Sequence, residues 1–473
     1  MRKIILTTLL LFVSLFAKAQ SEEVKEHLKR IETQYNVSFI YDSSLDFGRV
    51  NLATPKSTLD ESLHQLFAKS KIAWEVKDQY VLLKLSARFS IGGVVRDAAS
   101  GEPLIGATII MDNTLNGAYT NEKGFFSLSA KQGCHRLTYH YIGYKTKSIV
   151  VDLQRDTLIN TSLSIQSQTV DEVVVVGDMN SVENTQIGRT NLTSTRIKST
   201  PALLAESDVI KSLQTIAGVQ SSSEGKSDLV VRGGSPDQNL ILLDDMPLYN
   251  MNHVFGFFSV FNTDAISGVS FYKSSFPARF GERLSSVVDI HTKEGNKEKF
   301  TGSASLGLLT GKVNLEIPII KGRTSLMLSG RRSFLDLFMG EFQEDDNMTL
   351  FKFYDLNAKL HHRFSDRLSM SLSGYLGEDK LSNDYTPTYH YDDYTIINSK
   401  MFQKWQWGNR LATASVDYIA SPSLTLKGTL HYNRYSYNTA SNQESEVEGV
   451  EEEPQFSKLL YSSQIEDFSF NIG

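Results

Sequence analysis

At 473 residues the chain is too long for one ordinary domain, and two to four are expected. A hydrophobic share of 40% is that of a folded protein, and a net charge of −6 supplies no basic surface for nucleic acid. The lone cysteine, Cys134, excludes an internal disulfide and a thiolate metal cluster, and is read as a small buried hydrophobe.

The N-terminus reads as an export address over residues 1–19. Arg2 and Lys3 precede an apolar run from Ile4 to Phe16, and Ala17-Lys18-Ala19 fits a small-x-small cleavage site, with Gln20 the first mature residue. The run is shorter than the ~20 residues of a spanning helix, so a retained anchor is the weaker reading. No cysteine follows the site to carry a lipid, and no later apolar run is long enough for a membrane helix. A membrane would have to be entered by strands.

Residues 20–86 read as a small α/β domain. Val24, Leu28, Ile31 and Tyr35 fall on one helical face, and Val37–Tyr41 reads as a strand. Thr58-Leu59-Asp60-Glu61 offers a capping box for a helix with Leu59, Leu63, Leu66 and Phe67 on one side. Ile72–Val76 and Tyr80–Leu85 form a hairpin across Lys77-Asp78-Gln79. The stretches from Tyr35 to Asp42 and from Ser57 to Leu63 resemble the secretin and TonB N-terminal domain. That resemblance implies an inner-membrane anti-sigma regulator as partner; a generic spacer is the alternative.

Residues 89–164 carry short strand-like runs at Ile91–Arg96, Ala107–Met111, Gly124–Leu128, Leu137–Tyr141 and Lys147–Leu153, separated by turns, which indicates a β-sandwich. Gly101–Ala107, Thr120–Phe125 and Tyr141-Ile142-Gly143-Tyr144 resemble the carboxypeptidase regulatory-like domain, which has no catalytic residues. Tyr139, Tyr141 and Tyr144 are read as core and rim.

Residues 165–180 form a polar linker broken by Asp171-Glu172-Val173-Val174-Val175-Val176. Four β-branched residues favour an extended strand, which between mobile flanks suits pairing with another chain's strand. An internal strand is the alternative. Residues 181–293 follow as an α+β domain. Val209, Ile210, Leu213 and Ile216 share a helical face ended by Gly218. Leu229–Arg232 and Asn239–Leu243 read as strands. Asp244-Asp245 before Met246-Pro247 is read as a turn rather than a carboxylate pair for acid–base or metal chemistry. Together with Phe276–Ile290, this run resembles the plug domain of TonB-dependent outer-membrane receptors, preceded by a TonB box. The resemblance implies that Asp171, Glu172, Val173, Val174, Val175 and Val176 bind TonB, energised by its inner-membrane complex. Arg232 and Arg283 are expected to make polar contacts between plug and barrel wall.

From residue 299 to 473 the apolar period is two. Leu356, Ala358, Leu360 and Phe364 face away from Asn357, Lys359, His361 and Arg363, and Leu424, Leu426, Leu430 and Tyr432 alternate with Thr425, Lys427, Thr429, His431 and Asn433. Short connections at Lys321–Arg323, Ser365–Arg367 and Ala420–Ser423 alternate with long loops near Phe334–Thr349, Gly377–Lys404 and Ser436–Ser457. Acidic clusters Glu341–Asp346 and Glu444–Glu453 lack EF-hand spacing and are read as solvated loop charge. His361-His362 point to opposite sides, against a two-histidine metal site.

The fold expected is multidomain: a small α/β domain, a β-sandwich, an α+β plug and the first ~8 strands of an antiparallel transmembrane β-barrel facing outer-membrane lipid. Eight strands are too few to enclose a plug, since plugged transporters use ~22. The chain is therefore expected to be truncated or completed by other strands. Enzyme signals are poor. Gly307-Leu308-Leu309-Thr310-Gly311-Lys312 is one residue short of a phosphate loop, with Val313 where Ser or Thr is needed. No catalytic constellation and no cofactor is expected. The leading reading is a TonB-dependent receptor importing a scarce or bulky ligand, whether siderophore, glycan or peptide. The alternatives are a ligand-sensing transducer acting on an anti-sigma regulator, and an inactive truncated receptor.

Overall fold

The computed structural model describes residues 24–42, 45, 47, 50, 58–67, 72–85, 88–114, 116–166, 188–200, 206–341, 347–390, 396–447 and 453–473. The export address and Asp171–Val176 lie outside these residues. The chain divides into two compact units, one of Met1–Ser90 with Ser129–Cys134 and Asp152–Asp156, the other of Ile91–Leu128, His135–Val151 and Thr157–Gly473.

In the first unit, helix α1 (24–35) buries Val24, Leu28 and Ile31, and α2 (Leu59–Phe67) buries Leu63, Leu66 and Phe67, the faces the helical period dictates. Thr58 Oγ1 accepts from the Glu61 amide at 3.3 Å, an N-terminal cap. Strands β1 (Ser38–Ile40), β2 (Ile72–Lys77) and β3 (Tyr80–Leu85) form a sheet in the order β1-β3-β2, with Asp78 in the left-handed turn of the β2–β3 hairpin.

The β-sandwich has two sheets. One contains β4 (Arg88–Asp97), β7 (Phe125–Lys131), β10 (Thr157–Leu158) and β11 (Thr161–Leu163). The other runs β6 (Gly117–Tyr119), β5 (Thr108–Met111), β8 (Gly133–His140), β9 (Lys147–Leu153). Tyr139 is fully buried, and the Tyr141 and Tyr144 rings meet at 5.2 Å. Cys134 is exposed, not buried. Strand alternation is the reason: Leu137 and Tyr139 take the inner face of β8, and Cys134 and Arg136 fall on the outer one.

The central domain is a sheet ordered β12-β19-β20-β15-β16, from β12 (Arg189–Thr193), β15 (Asn239–Leu243), β16 (Met246–Pro247), β19 (Ile266–Tyr272) and β20 (Ser286–Thr292). β15 and β20 are parallel, and both are buried on both faces, hence the apolar run Leu240–Leu243 of β15, while β20 buries Ser286, Asp289, His291 and Thr292 among its apolar residues. Small pairs β13 (Val219–Gln220) with β14 (Val230–Val231), and β17 (Asn252–His253) with β18 (Phe258–Ser259), lie outside this sheet. Helices α3 (Ser194–Ser199) and α4 (Val209–Gln214) are one to two turns long. Asp208 caps α4 through the Ile210 and Lys211 amides, and Gly218 takes φ 82 beyond it.

The remaining strands form one open antiparallel sheet in the order β21 (Thr301–Leu306), β22 (Thr310–Ile320), β23 (Thr324–Ser333), β24 (Asn347–Arg363), β25 (Leu368–Tyr385), β27 (Ile396–Ser421), β28 (Leu424–Val447), β29 (Gln455–Ile472). β26 (Thr388–His390) pairs with β27, and helix α5 (Leu335–Glu341) follows β23. The three short turns stand where the sequence puts them. The long loops at Gly377–Lys404 and Ser436–Ser457 are largely strand instead. Leu381 pairs with Trp405 and Lys400 with Glu444, so the hairpins continue well past the ~10 residues a bilayer needs. Continued cross-strand pairing of aromatics and opposite charges sustains them, and Glu444 is thereby strand rather than loop.

The sheet's polarity is inverted relative to a soluble sandwich. Leu356 is 50% exposed and Leu430 58%, while Lys359 is 6% and His431 4% exposed. Many apolar side chains face outward and polar ones face the central domain, as lipid outside and a hydrated interior require, while Phe351, Phe353, Trp407 and Leu411 turn inward and pack against that domain.

Candidate functional site

The inward polar faces of β22 to β28 meet the central domain along a seam of paired charges. At one end, Asp355 of β24 is fully buried and accepts from Arg331 Nε at 2.7 Å, His253 Nε2 at 2.8 Å and the Tyr375 hydroxyl at 2.6 Å. His253 Nδ1 lies 2.7 Å from Asp379 Oδ2, so each ring nitrogen faces a carboxylate and the imidazole is a cation. Burial works against that charge, but Asp355 and Asp379 outweigh it and raise the His253 pKa to about 9. Phe353 stacks on the His253 ring at 4.2 Å, and the Arg331 guanidinium lies over the Phe353 ring at 5.1 Å. Arg331 also donates to Glu206 Oε1 at 2.8 Å and to the Ser259 carbonyl at 2.7 Å. Glu206 receives Lys312 at 2.9 Å and the Thr310 hydroxyl at 2.8 Å. Burial disfavours its charge, but Arg331 and Lys312 prevail and lower its pKa to about 2.

Deeper in the seam is the acidic turn. Asp244 (φ 48) and Asp245 (φ 70) are both left-handed and join β15 to β16 as a two-residue hairpin turn, a conformation aspartate tolerates. The turn reading of the pair holds, but neither carboxylate is left to solvent. Asp244 accepts from Lys359 Nζ at 3.0 Å and from the Thr292 amide at 3.0 Å. Asp245 accepts from Lys427 Nζ at 2.6 Å. Burial raises both carboxyls, but the lysines facing them hold both below the usual carboxylate range. Neutral bonds complete the seam: Asn262 to Ser329 at 2.7 Å, Asn409 to the Asn250 carbonyl at 2.7 Å and Asn433 to the Pro247 carbonyl at 2.6 Å.

The expected contacts at Arg232 and Arg283 lie elsewhere. Arg232 (φ 51) follows β14 in an exposed turn, and Arg283 bonds the carbonyl of its neighbour Glu282. Both stand in turns, while the bonds to the wall come from Glu206, from the β15–β16 turn through β18 and the loops beside them, and from Thr292 of β20. Arg331, Lys359 and Lys427 carry them from the wall side. The available signal was an ionisable residue on the inward phase of each strand, as with Lys359 and Lys427, whereas His253 and Glu206 had no local pattern. The phosphate-loop look-alike is the hairpin turn between β21 and β22, with Gly307 bonded to Thr310 and Lys312 committed to Glu206.

The apex of the central domain is apolar and strained. Val254 (φ 51) and Phe255 (φ 52) are consecutive left-handed non-glycine residues. They hold the exposed Phe255 ring 5.4 Å from Trp407 and 6.3 Å from Phe351.

Two family models match. The carboxypeptidase regulatory-like domain covers residues 91–175 and the TonB-dependent receptor plug domain residues 181–288. The TonB-dependent receptor SusC of Bacteroides thetaiotaomicron is 29% identical over 225 residues, 44% of this chain and 21% of that protein. The TonB-dependent receptor P39 of Formosa agariphila is 25% identical over 227 residues, 46% of this chain and 21% of that protein. The matched stretch thus spans about a fifth of each relative's length. Among solved structures, the siderophore receptor PirA of Acinetobacter baumannii aligns with 13% identity and TM-score 0.33, covering 61% of this chain and 59% of that one. The outer membrane transporter YddB of Escherichia coli aligns with 12% identity and TM-score 0.32, covering 59% and 54%.

Proposed function

Proceeding from a chain that carries the plug domain of TonB-dependent receptors against a wall of outer-membrane β-barrel strands, we propose that it is the plug-bearing part of a receptor that imports a scarce or bulky ligand. The observation that carries this reading is the charge-paired seam. Removing one member of a buried ion pair costs roughly 3–5 kcal/mol. When the plug leaves whole and water enters, every partner regains its hydration, and the net cost is small. A seam of this kind seals at rest and yields to a directed pull, which a dry apolar core of equal area does not.

The pull would be applied by TonB pairing with Asp171–Val176 through backbone hydrogen bonds. Ligand would meet the plug at the Val254–Phe255 apex, where Phe255 and Trp407 offer ring faces. No catalysis is assigned, since the seam's carboxylates are committed to cations. The separate compactness of the N-terminal unit favours a second role, signalling to an anti-sigma regulator. Deleting Ser21–Leu85 is expected to abolish induction and spare uptake.

The direct test is calorimetric titration of a peptide covering residues 165–180 with the periplasmic domain of TonB. Binding is expected, and Val174→Pro, which removes a backbone donor, is expected to abolish it. A wild-type peptide that does not bind sinks the TonB reading.

A further inference from the structure

The regulatory-like β-sandwich has so far no role beyond joining the N-terminal unit to the plug. Its residues Ile91–Leu128 nevertheless fall in one compact unit with plug and wall, and they touch three separate parts of it. The first is the connector between β20 and β21: the Lys297 amide donates to the Ser100 carbonyl at 2.9 Å, and the Gly295 amide to Glu102 Oε1 at 2.8 Å. The second is the plug sheet, where the buried Ile105 lies against Gly268 of β19. The third is the wall. Lys123 Nζ stands 2.8 Å from Asp417 Oδ2, and Glu122 Oε1 stands 3.8 Å from Lys427 Nζ. Gly92 packs so closely on the Pro422 turn that a Cβ there would overlap the Pro422 carbonyl.

Lys427 is thus shared. One nitrogen holds Asp245 of the plug at 2.6 Å and faces Glu122 of the sandwich. Glu102, Glu122 and Lys123 also wall a small polar cavity whose other lining includes Asp244, Asp245 and Lys359. The sandwich therefore closes the chamber in which the plug's acidic turn is anchored.

We propose that this face of the sandwich is a docking surface for the rim formed by wall and plug, an inner bolt that must leave before the acidic turn is free. The inference rests on the import reading for what moves the bolt, though not for the docking itself. The chain leaves the sandwich at β11 and enters the plug at β12, so tension on the intervening valines loads both domains. The sandwich is held by the packing of Ile105 and Gly92 and by a few polar contacts, whereas the plug is held by the whole seam, so the sandwich yields first.

The test uses the full chain in detergent, with Cys134→Ser to remove the exposed thiol and Ser369→Cys as reporter on the covered rim. A bulky polyethylene-glycol maleimide measures access. Lys123→Asp, which replaces an attraction to Asp417 with a repulsion, is expected to raise the labelling rate at least about tenfold, the size of one lost charge-assisted contact, and Gly92→Ala, whose methyl overlaps the Pro422 carbonyl, is expected to raise it too. The exchanged pair Lys123→Asp/Asp417→Lys is expected to return it to the parental rate. If both single variants label at the parental rate, or the exchanged pair labels as fast as Lys123→Asp, the docking surface is refuted. The same labelling in energised cells separates the two claims. A rate that ignores loss of TonB removes the import reading, while the coupling in detergent still decides the bolt.

Discussion

Arg331→Met is the perturbation the seam responds to most directly. Arg331 is 3% exposed and bridges the plug's Glu206 and Ser259 carbonyl to Asp355 of the wall. Methionine keeps the volume and removes the charge. Two buried carboxylates each lose a partner, but Lys312 remains on Glu206 and His253 on Asp355. The loss is therefore set at the lower end of the roughly 3–5 kcal/mol range, about 3 kcal/mol, which is about a hundredfold in the seated-to-free ratio of the plug. Trp407, against Phe255 of the plug, supplies the signal: urea titration of the detergent-solubilised chain followed by tryptophan emission. Replacing the whole Glu206 cluster, in Arg331→Met/Lys312→Met/Glu206→Gln, is expected to recover part of the loss, because replacing a buried ionic group costs less than breaking it. A triple variant no more stable than Arg331→Met would refute the reasoning, since the Glu206 carboxylate would then not be a source of the cost.

Other outcomes follow from the same geometry. The His253 pKa is raised from 6.5 to about 9, so its stabilisation is fully present below pH 6.5 and is lost as pH rises through about 9. The urea midpoint is expected to fall between pH 7 and 10, and His253→Gln to flatten that slope; an equal slope in the variant would remove His253 as its source. Lys359→Met leaves Asp244 buried without its cation and is expected to cost about 3 kcal/mol and to admit vancomycin through the outer membrane, with Asp244→Asn in the same chain restoring the barrier. Gly377→Ala places a methyl where the Tyr375 hydroxyl reaches Asp355, and is expected to cost roughly 1–3 kcal/mol by urea titration. A silent Gly377→Ala would mean that Tyr375 is not held there.

What could be read from the chain followed the range of each signal. Period-two alternation located β24, β25 and β28 and assigned Lys359, His361 and Lys427 to the inward phase, because strand geometry alone sets it. The acidic turn was legible from Asp-Asp before Met-Pro, since left-handed hairpin turns have a narrow residue choice. The destination of those carboxylates was not legible: Asp244 and Lys359 are 115 positions apart, and no local rule joins them. His253 was silent for the same reason, its partners lying 102 and 126 residues away. The charge of Arg232 and Arg283 suits a contact that holds and releases, but charge alone carries no information on which strand it would meet. The long loops failed because turn-like polar composition beyond the bilayer is also what water-exposed hairpin extensions use.

The inverted wall bears on how such a chain reaches its membrane. Polar residues recur along both strands, with Asp355, Asn357, Lys359 and His361 in β24 and Thr425, Lys427, Thr429, His431 and Asn433 in β28, so neither is an unbroken apolar segment of the ~20 residues a membrane helix needs. The outward leucines become a continuous belt only once neighbouring strands have zipped together. Pairing of the strands and burial of that belt in lipid are thus coupled, since before pairing the lipid-seeking half of the wall is dispersed along the sequence.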